Sequence, residues 1–287
     1  MASDLPAHSV ASQTLETYTF PHSRLRLTQS NPDRQGLILV APGSYSPITH
    51  LHLRMFEMAA DFAKFNTEFE LLGGYISPVG DAYKKKGLAP AGDRLRMCEL
   101  AVDETSNWLM VDPWEALHTE YMPTAVVLDH FEHEINEVLG GAVMPDGTHR
   151  HIQIALLAGS DLIMTMGTPG VWSENDLEHI LGRYGAFCIE RSGTDTAEAI
   201  SSLEKFKDNI YVIQQLIAND VSSTKIRLFL RREMSVAYLI PSPVIRYIEE
   251  HGLYKDDAAS IKEKEKSKGK EISGRASPAI CSSESKS

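Results

Sequence analysis

Cysteine is scarce: Cys98, Cys188 and Cys281 are three residues in 287, an odd number with no C-x-x-C pair. A disulfide-stapled secreted scaffold is excluded, and the two that lie in apolar patterns read as buried thiols of a reducing compartment. Long apolar runs are missing too. Nothing approaches the roughly 18 residues a helix needs to span a bilayer, so the chain is expected to be soluble. Positive charge is in deficit, with 28 Lys and Arg against 39 Asp and Glu and a formal net charge of −11. That balance argues against a broad nucleic-acid-binding face but leaves room for a local phosphate site. The first residues, MASDLPAHSVASQTLETYTF, carry no basic stretch followed by an apolar core. Asp4 and Glu16 also spoil a transit peptide, which leaves nucleus or cytoplasm as the expected location. Neither G-x-G-x-x-G nor G-x-x-x-x-G-K-[ST] occurs, so hydride-transfer cofactors and P-loop chemistry both lose ground.

What is present is an alternation. Apolar runs at LILVAP, FELLGGYISPV, WLMV, HIQIALLAG, AFCIE and NIYVI read as six strands. Between and after them, helical spacing predicts helices over His50 to Phe65, Asp93 to Val102, Glu115 to Leu139 with a possible break at Pro123, Glu174 to Leu181 behind a Ser173-x-x-Asp176 cap, from about Ser223, and Pro243 to Glu250. GGAVMPDGTHR reads as a surface loop. The pattern predicts an α/β fold, a doubly wound and mostly parallel sheet with ligands at the carboxyl ends of its strands. Residues 1–35 read as a mostly extended arm that packs YTFPHSRLRL onto a domain over 36–254. Residues 255–287, rich in Lys, Glu and Ser, read as a disordered tail. No internal repeat is evident.

Gly43 and Ser44 end the first strand and open onto a helix, where free backbone N–H groups and the positive helix end favour an anion. Thr49 and His52 share one face of that helix's first turns, and His50 points elsewhere. Lys84, Lys85 and Lys86 form a basic loop after the second strand. Trp114 and Trp172 each follow a strand, where a ring could stack on a planar ligand or simply pack. In NDVSSTKIRLFLRR, Ser222, Ser223 and Thr224 precede a helix whose first turns hold Lys225 and Arg227, cations that oppose the helix dipole unless an anion is there to share. HFEHE, at His130 to Glu134, has metal-ligand spacing but no third ligand and reads as a solvated helix face.

With GSYSPITHLHLRMFEMA, GGYISPVGDAYKKKGLAPAGDR, DPWE, AGSDL, GVW and ANDVSSTKIRLFLRR in one chain and in order, the sequence resembles the eukaryotic, fungal-like nicotinamide/nicotinate mononucleotide adenylyltransferases of the nucleotidyltransferase superfamily, from about Leu37 to Tyr254. The resemblance implies a single Rossmann-like domain that transfers the adenylyl group of ATP to nicotinamide mononucleotide, and to nicotinate mononucleotide as well. The products would be NAD or deamido-NAD and pyrophosphate, with magnesium or another divalent cation held mainly by ATP phosphates and no protein metal site. It implies a homo-oligomer, while the acidic balance and the lack of a long apolar run argue against nucleic-acid and membrane partners. His52 and Arg227 would be catalytic. Gly43, Ser44, Tyr45, Thr49, His52, Asn219, Ser222, Thr224, Lys225, Ile226 and Arg227 would bind ATP, and Ser44, Tyr45, Lys85, Lys86, Trp114, Gly159, Asp161, Leu162 and Trp172 the mononucleotide. Thr49 stands where the superfamily motif often has a histidine, so a mechanism with two motif histidines is not implied. The alternatives are a nucleotide-binding chaperone or scaffold and a related transferase with another phosphate acceptor.

Overall fold

A computed structural model describes residues 9–190 and 196–255. The expected tail, Cys281 with it, lies outside these residues apart from Lys255. Six parallel strands form the sheet: β1 (Gln35–Gly43), β2 (Phe69–Pro78), β3 (Leu109–Val111), then, after a two-residue hairpin of β4 (Ala142–Val143) and β5 (His149–Arg150), β6 (Gln153–Gly159), β7 (Ala186–Glu190) and β8 (Ile210–Gln214). Their order is β3-β2-β1-β6-β7-β8, so the strand order reverses between β1 and β6. All six predicted strands are found. The hairpin replaces the irregular loop expected at GGAVMPDGTHR, because Val143 N–H is taken by Leu27 of the N-terminal arm and pins the segment as an edge.

The apolar continuity of β1 follows from burial on both faces. Leu37, Leu39 and Ala41 enter one core with Phe56, Ala59, Met97 and Ile226. Ile38 and Val40 enter the other with Tyr75, Leu128, Phe131 and Ile163. Helices α1 (His50–Asn66) and α2 (Ala91–Thr105) follow β1 and β2. The predicted 115–139 helix is divided. A short α3 (Trp114–Leu117) stops before Pro123, and α4 (Thr124–Glu132) begins after it and widens into a π-helix over His133–Val138. Proline before the first helical residue costs no helical hydrogen bond, which sets the restart. α5 (Ser160–Met166) and α7 (Ala197–Ser202) are not foreseen by spacing, being too short to show a period. α6 (Glu174–Leu177) is capped by Ser173 as expected and runs on as a π-helix to Tyr184, while α8 (Ser223–Arg231) and α9 (Ser242–His251) close the chain. Cys98 and Cys188 are free and buried, and burial pushes both thiols up. No helix among the described residues is long and apolar enough to cross a membrane.

Candidate active site

The β1–α1 junction is shaped by Tyr45. This residue takes φ 42°, a left-handed conformation that costs a non-glycine residue energy and that clusters at functional turns. The turn is secured by the Tyr45 hydroxyl, which donates to the Ala41 carbonyl at 2.7 Å, and the ring lies so close over Gly43 that a Cβ there would sit 3.0 Å from it. Only glycine leaves room for that ring, and with it the backbone of Gly43 and Ser44 stays open to a ligand. Thr49 caps α1. Its own N–H donates to Nδ1 of His52 at 2.9 Å. A backbone N–H can only donate, so Nδ1 is an acceptor and the ring proton of neutral His52 sits on Nε2. The imidazole also meets Tyr45 edge-on, 5.1 Å between centroids. Neither α1 nor α8 has an acidic residue in its first turn. Both helix starts are capped by neutral side chains, so no carboxylate offsets the positive end of either helix.

The second motif is tied to the first across the sequence. Ser222 caps α8, Ser223 Oγ donates to the Pro47 carbonyl at 2.9 Å, and buried Arg227 donates from Nη1 to the Ser46 carbonyl at 2.7 Å and from Nη2 to Thr224 Oγ1 at 3.3 Å. Burial lowers the Arg227 pKa from its ordinary value. Ile226 is core. Lys225 is exposed and paired with Asp220, and Asn219 accepts the Val221 N–H and borders a separate depression shared with His50.

Two clefts meet at the carboxyl ends of β1 and β6. One, of about 260 Å³, is lined by Gly43, Ser44, Tyr45, His52, Gly159 and Gln215 among others, and a wider one, of about 780 Å³, by Tyr83, Lys85, Glu115, Tyr121 and Trp172. They share Pro42, Gly43, Ser44, Asp161 and Leu162. The junction read from sequence is thus the ridge between two cavities. Lys85 reaches the wider cleft, while exposed Lys86 is not among its lining residues. Trp172 forms part of its wall, with Nε1 donating to Thr165 Oγ1 at 3.2 Å. Trp114 stands behind the wall beside Glu115. One face of its indole lies flat on His130, 4.2 Å away at 5°. His130 is therefore not on the solvated face that HFEHE suggested. It is buried against Asp112. His133 is exposed, as expected.

Three residues were not singled out from sequence. Arg94 is fully buried and donates from Nε to the Ala89 carbonyl at 2.8 Å, from Nη1 to the Ser44 carbonyl at 3.1 Å and from Nη2 to Asp81 at 3.3 Å, so it joins the basic loop to the glycine turn. Gln215 lines the smaller cleft, and its buried Nε2 has no partner. Its only sequence signal is its place directly after β8. Glu115 of DPWE accepts the Ser77 hydroxyl at 2.7 Å, and burial pushes its carboxyl up to about 8, with the nearby charge of Asp112 adding to the rise and Ser77 and Arg94 opposing it.

The Glu115 carboxyl has a consequence for stability. Its folded pKa exceeds the ordinary value of 4.5, so the folded chain holds the extra proton between about 4.5 and 8. The stabilisation is full below about 4.5 and is lost as pH rises through about 8. Urea titrations from pH 5 to 9 are expected to show the wild type losing ground to Glu115→Gln by at most ~1.4 kcal/mol per pH unit, levelling off above pH 8. Parallel curves for the two proteins would refute this.

Among the described residues no group of three or more His, Cys, Asp or Glu side chains could hold a metal ion. The chain matches a family model described as cytidylyltransferase-like over residues 40–229. A nicotinamide/nicotinic acid mononucleotide adenylyltransferase 2 of Saccharomyces cerevisiae is 53% identical over 89% of this chain and 66% of its own length. A nicotinamide/nicotinic acid mononucleotide adenylyltransferase of Schizosaccharomyces pombe is 55% identical over 84% of this chain and 67% of its own length. The one from Oryza sativa is 41% identical over 79% of this chain and 91% of its own length. The chain spans about two thirds of the length of the yeast relatives.

Proposed function

This chain belongs to the cytidylyltransferase-like family and, within it, to the nicotinamide/nicotinic acid mononucleotide adenylyltransferases, and from that premise we propose that it joins ATP to nicotinamide or nicotinate mononucleotide. An oxygen of the mononucleotide 5′-phosphate attacks the α-phosphorus of ATP, the bond from that phosphorus to the bridging oxygen breaks, and pyrophosphate leaves with that oxygen. The observation that carries the reading is the ridge at Gly43 and Ser44, where two clefts meet before the start of α1.

ATP occupies the smaller cleft, with its base towards Gln215, whose unpartnered amide suits a ring rich in hydrogen-bonding edges, and its ribose towards Gly159. Gly159 lines this cleft and not the wider one and so moves from the mononucleotide to the ATP side, while Asp161 lies on the ridge that both clefts share. The mononucleotide takes the wider cleft, with its ring against Trp172 on the side that Trp114 backs and its phosphate within reach of Lys85. No side chain becomes covalently attached. The protein's part is to align two phosphates and meet charge where it develops, which is how phosphoryl-type transfers are accelerated. Nε2–H of His52 donates to a phosphate oxygen. Arg227, with Ser222 and Thr224 at the start of α8, receives the departing pyrophosphate. A divalent cation, magnesium in the first instance, would supply further charge neutralisation when bound with ATP. Such an ion would be held largely through substrate phosphates.

The test is product analysis with purified protein, ATP, magnesium and each mononucleotide in turn, separating NAD, deamido-NAD and pyrophosphate by chromatography. Equimolar dinucleotide and pyrophosphate are expected. A protein that binds ATP yet forms neither product would overturn the reading.

A further inference from the structure

The N-terminal arm reaches further into the molecule than a docked strap needs to. It is anchored along its length: Phe20 is buried against Tyr75 and Phe131, Tyr75 donates to the Pro21 carbonyl at 2.9 Å, and Arg24 donates to the Ser106 and Leu109 carbonyls, each at 3.0 Å. Among these anchors, one arm side chain ends in a polar cluster directly behind Trp114. The Tyr18 hydroxyl donates to Asp112 Oδ1 at 3.0 Å and lies 3.0 Å from Nε2 of His130. His130 Nε2 is also 3.1 Å from Asp112 Oδ2. Burial and the charge of Asp112 push the Tyr18 phenol well above its ordinary pKa, so its proton stays in place and goes to Asp112. Nε2 of His130 must then carry the proton that both its contacts require. Asp112, fully buried, also accepts the Trp114 N–H at 3.4 Å.

We propose that Tyr18 and His130 are positioning residues for the mononucleotide half of the site: with Asp112 they fix the plane of the Trp114 indole and the start of α3, which carries Glu115 into the wider cleft. This rests on the reading that a mononucleotide ring is held beside Trp114. Each link is geometric. Asp112 sets the imidazole, the imidazole lies flat on the indole, and α3 is pressed so closely onto the end of β2 that a Cβ on Gly80 would meet the His118 and Glu115 carbonyls at 3.1 and 3.2 Å. A segment held this way has one orientation, and the ligand need not select it from several. When one strut is removed, the ligand bears the ordering cost.

The test compares Tyr18→Phe with wild type in the full chain. Phenylalanine keeps the ring and the arm's other anchors. The KM for either mononucleotide is expected to rise about 3- to 10-fold, the weight of one hydrogen bond, with kcat and the KM for ATP unchanged. His130→Gln, which keeps a donor but loses the flat ring, should give a larger rise in the same parameter. A ligand-free readout accompanies it: with Trp108 and Trp172 replaced by phenylalanine in both proteins, acrylamide should quench Trp114 emission more readily in the Tyr18→Phe form. If Tyr18→Phe melts earlier but keeps both KM values and the quenching curve of its parent, the arm is merely structural and the proposal is wrong. If wild type forms no dinucleotide, the functional reading fails on its own. The quenching comparison then decides the arm: a changed curve supports its hold on Trp114, and an unchanged curve overturns it.

Discussion

Replacing His52 with alanine is expected to lower kcat by about 10²- to 10³-fold, the usual loss when one preorganised donor to a charged transition state is removed. The protein should remain folded. Thr49 remains the cap of α1 and its hydroxyl still accepts the His52→Ala backbone N–H, so the structural loss is the bond from the buried Thr49 N–H and the edge contact with Tyr45, on the order of 1–3 kcal/mol. The large rate effect follows from the tautomer. With Nδ1 held by the Thr49 N–H, the imidazole is oriented before any substrate arrives, and Nε2–H pays no reorganisation when charge builds up on phosphate oxygens. Steady-state kinetics with both substrates saturating, beside circular dichroism and thermal melts, check this. A variant with near-parental kcat would mean that His52 only closes the helix end and that the charge is met elsewhere.

The second large effect concerns stability. Arg94→Ala is expected to destabilise the fold by roughly 3 kcal/mol or more, since it leaves the Ala89 and Ser44 carbonyls without their donor and opens space in a core where the side chain is fully buried. Lysine should recover only part of the loss, because one ammonium cannot span three acceptors that a guanidinium fork reaches together. Urea unfolding of the three proteins measures both steps. The same change should weaken mononucleotide binding through the basic loop, whose position depends on Asp81 and Ala89. Equal midpoints for all three proteins would show that the turn and the loop hold their places unaided.

Arg94 also illustrates where reading a sequence stops. The six strands were legible because burial on both faces writes itself as uninterrupted apolar runs, and α1 because its apolar face repeats over seventeen residues behind a threonine cap. Gly43, Ser44 and His52 could be placed because a strand end, a glycine turn and a helix start are local events. Arg94 reads as one more cation in the first turn of a helix, and nothing nearby says that its guanidinium will reach a carbonyl fifty residues back. The same holds for His130, which its neighbours place on a polar helix face. Its partners come from the N-terminal arm and from the end of β3, and no helical period reports them. Glu115 was visible beside Trp114, but its raised pKa depends on packing against β2. Short helices such as α5 leave too few turns to show a period at all.

The reversal of strand order between β1 and β6 has a bearing on how the molecule assembles. The two halves of the sheet are joined there by registered pairs running from Leu37 with Gln153 to Val40 with Leu156, between stretches more than a hundred residues apart. Contacts so distant in sequence form late, after a large loop has closed. The clefts lie over this seam, and each draws walls from both halves. If the proposed substrates seat across both clefts, they would act as a clasp on this joint, and resistance to opening is then expected to grow with the logarithm of the nucleotide supply.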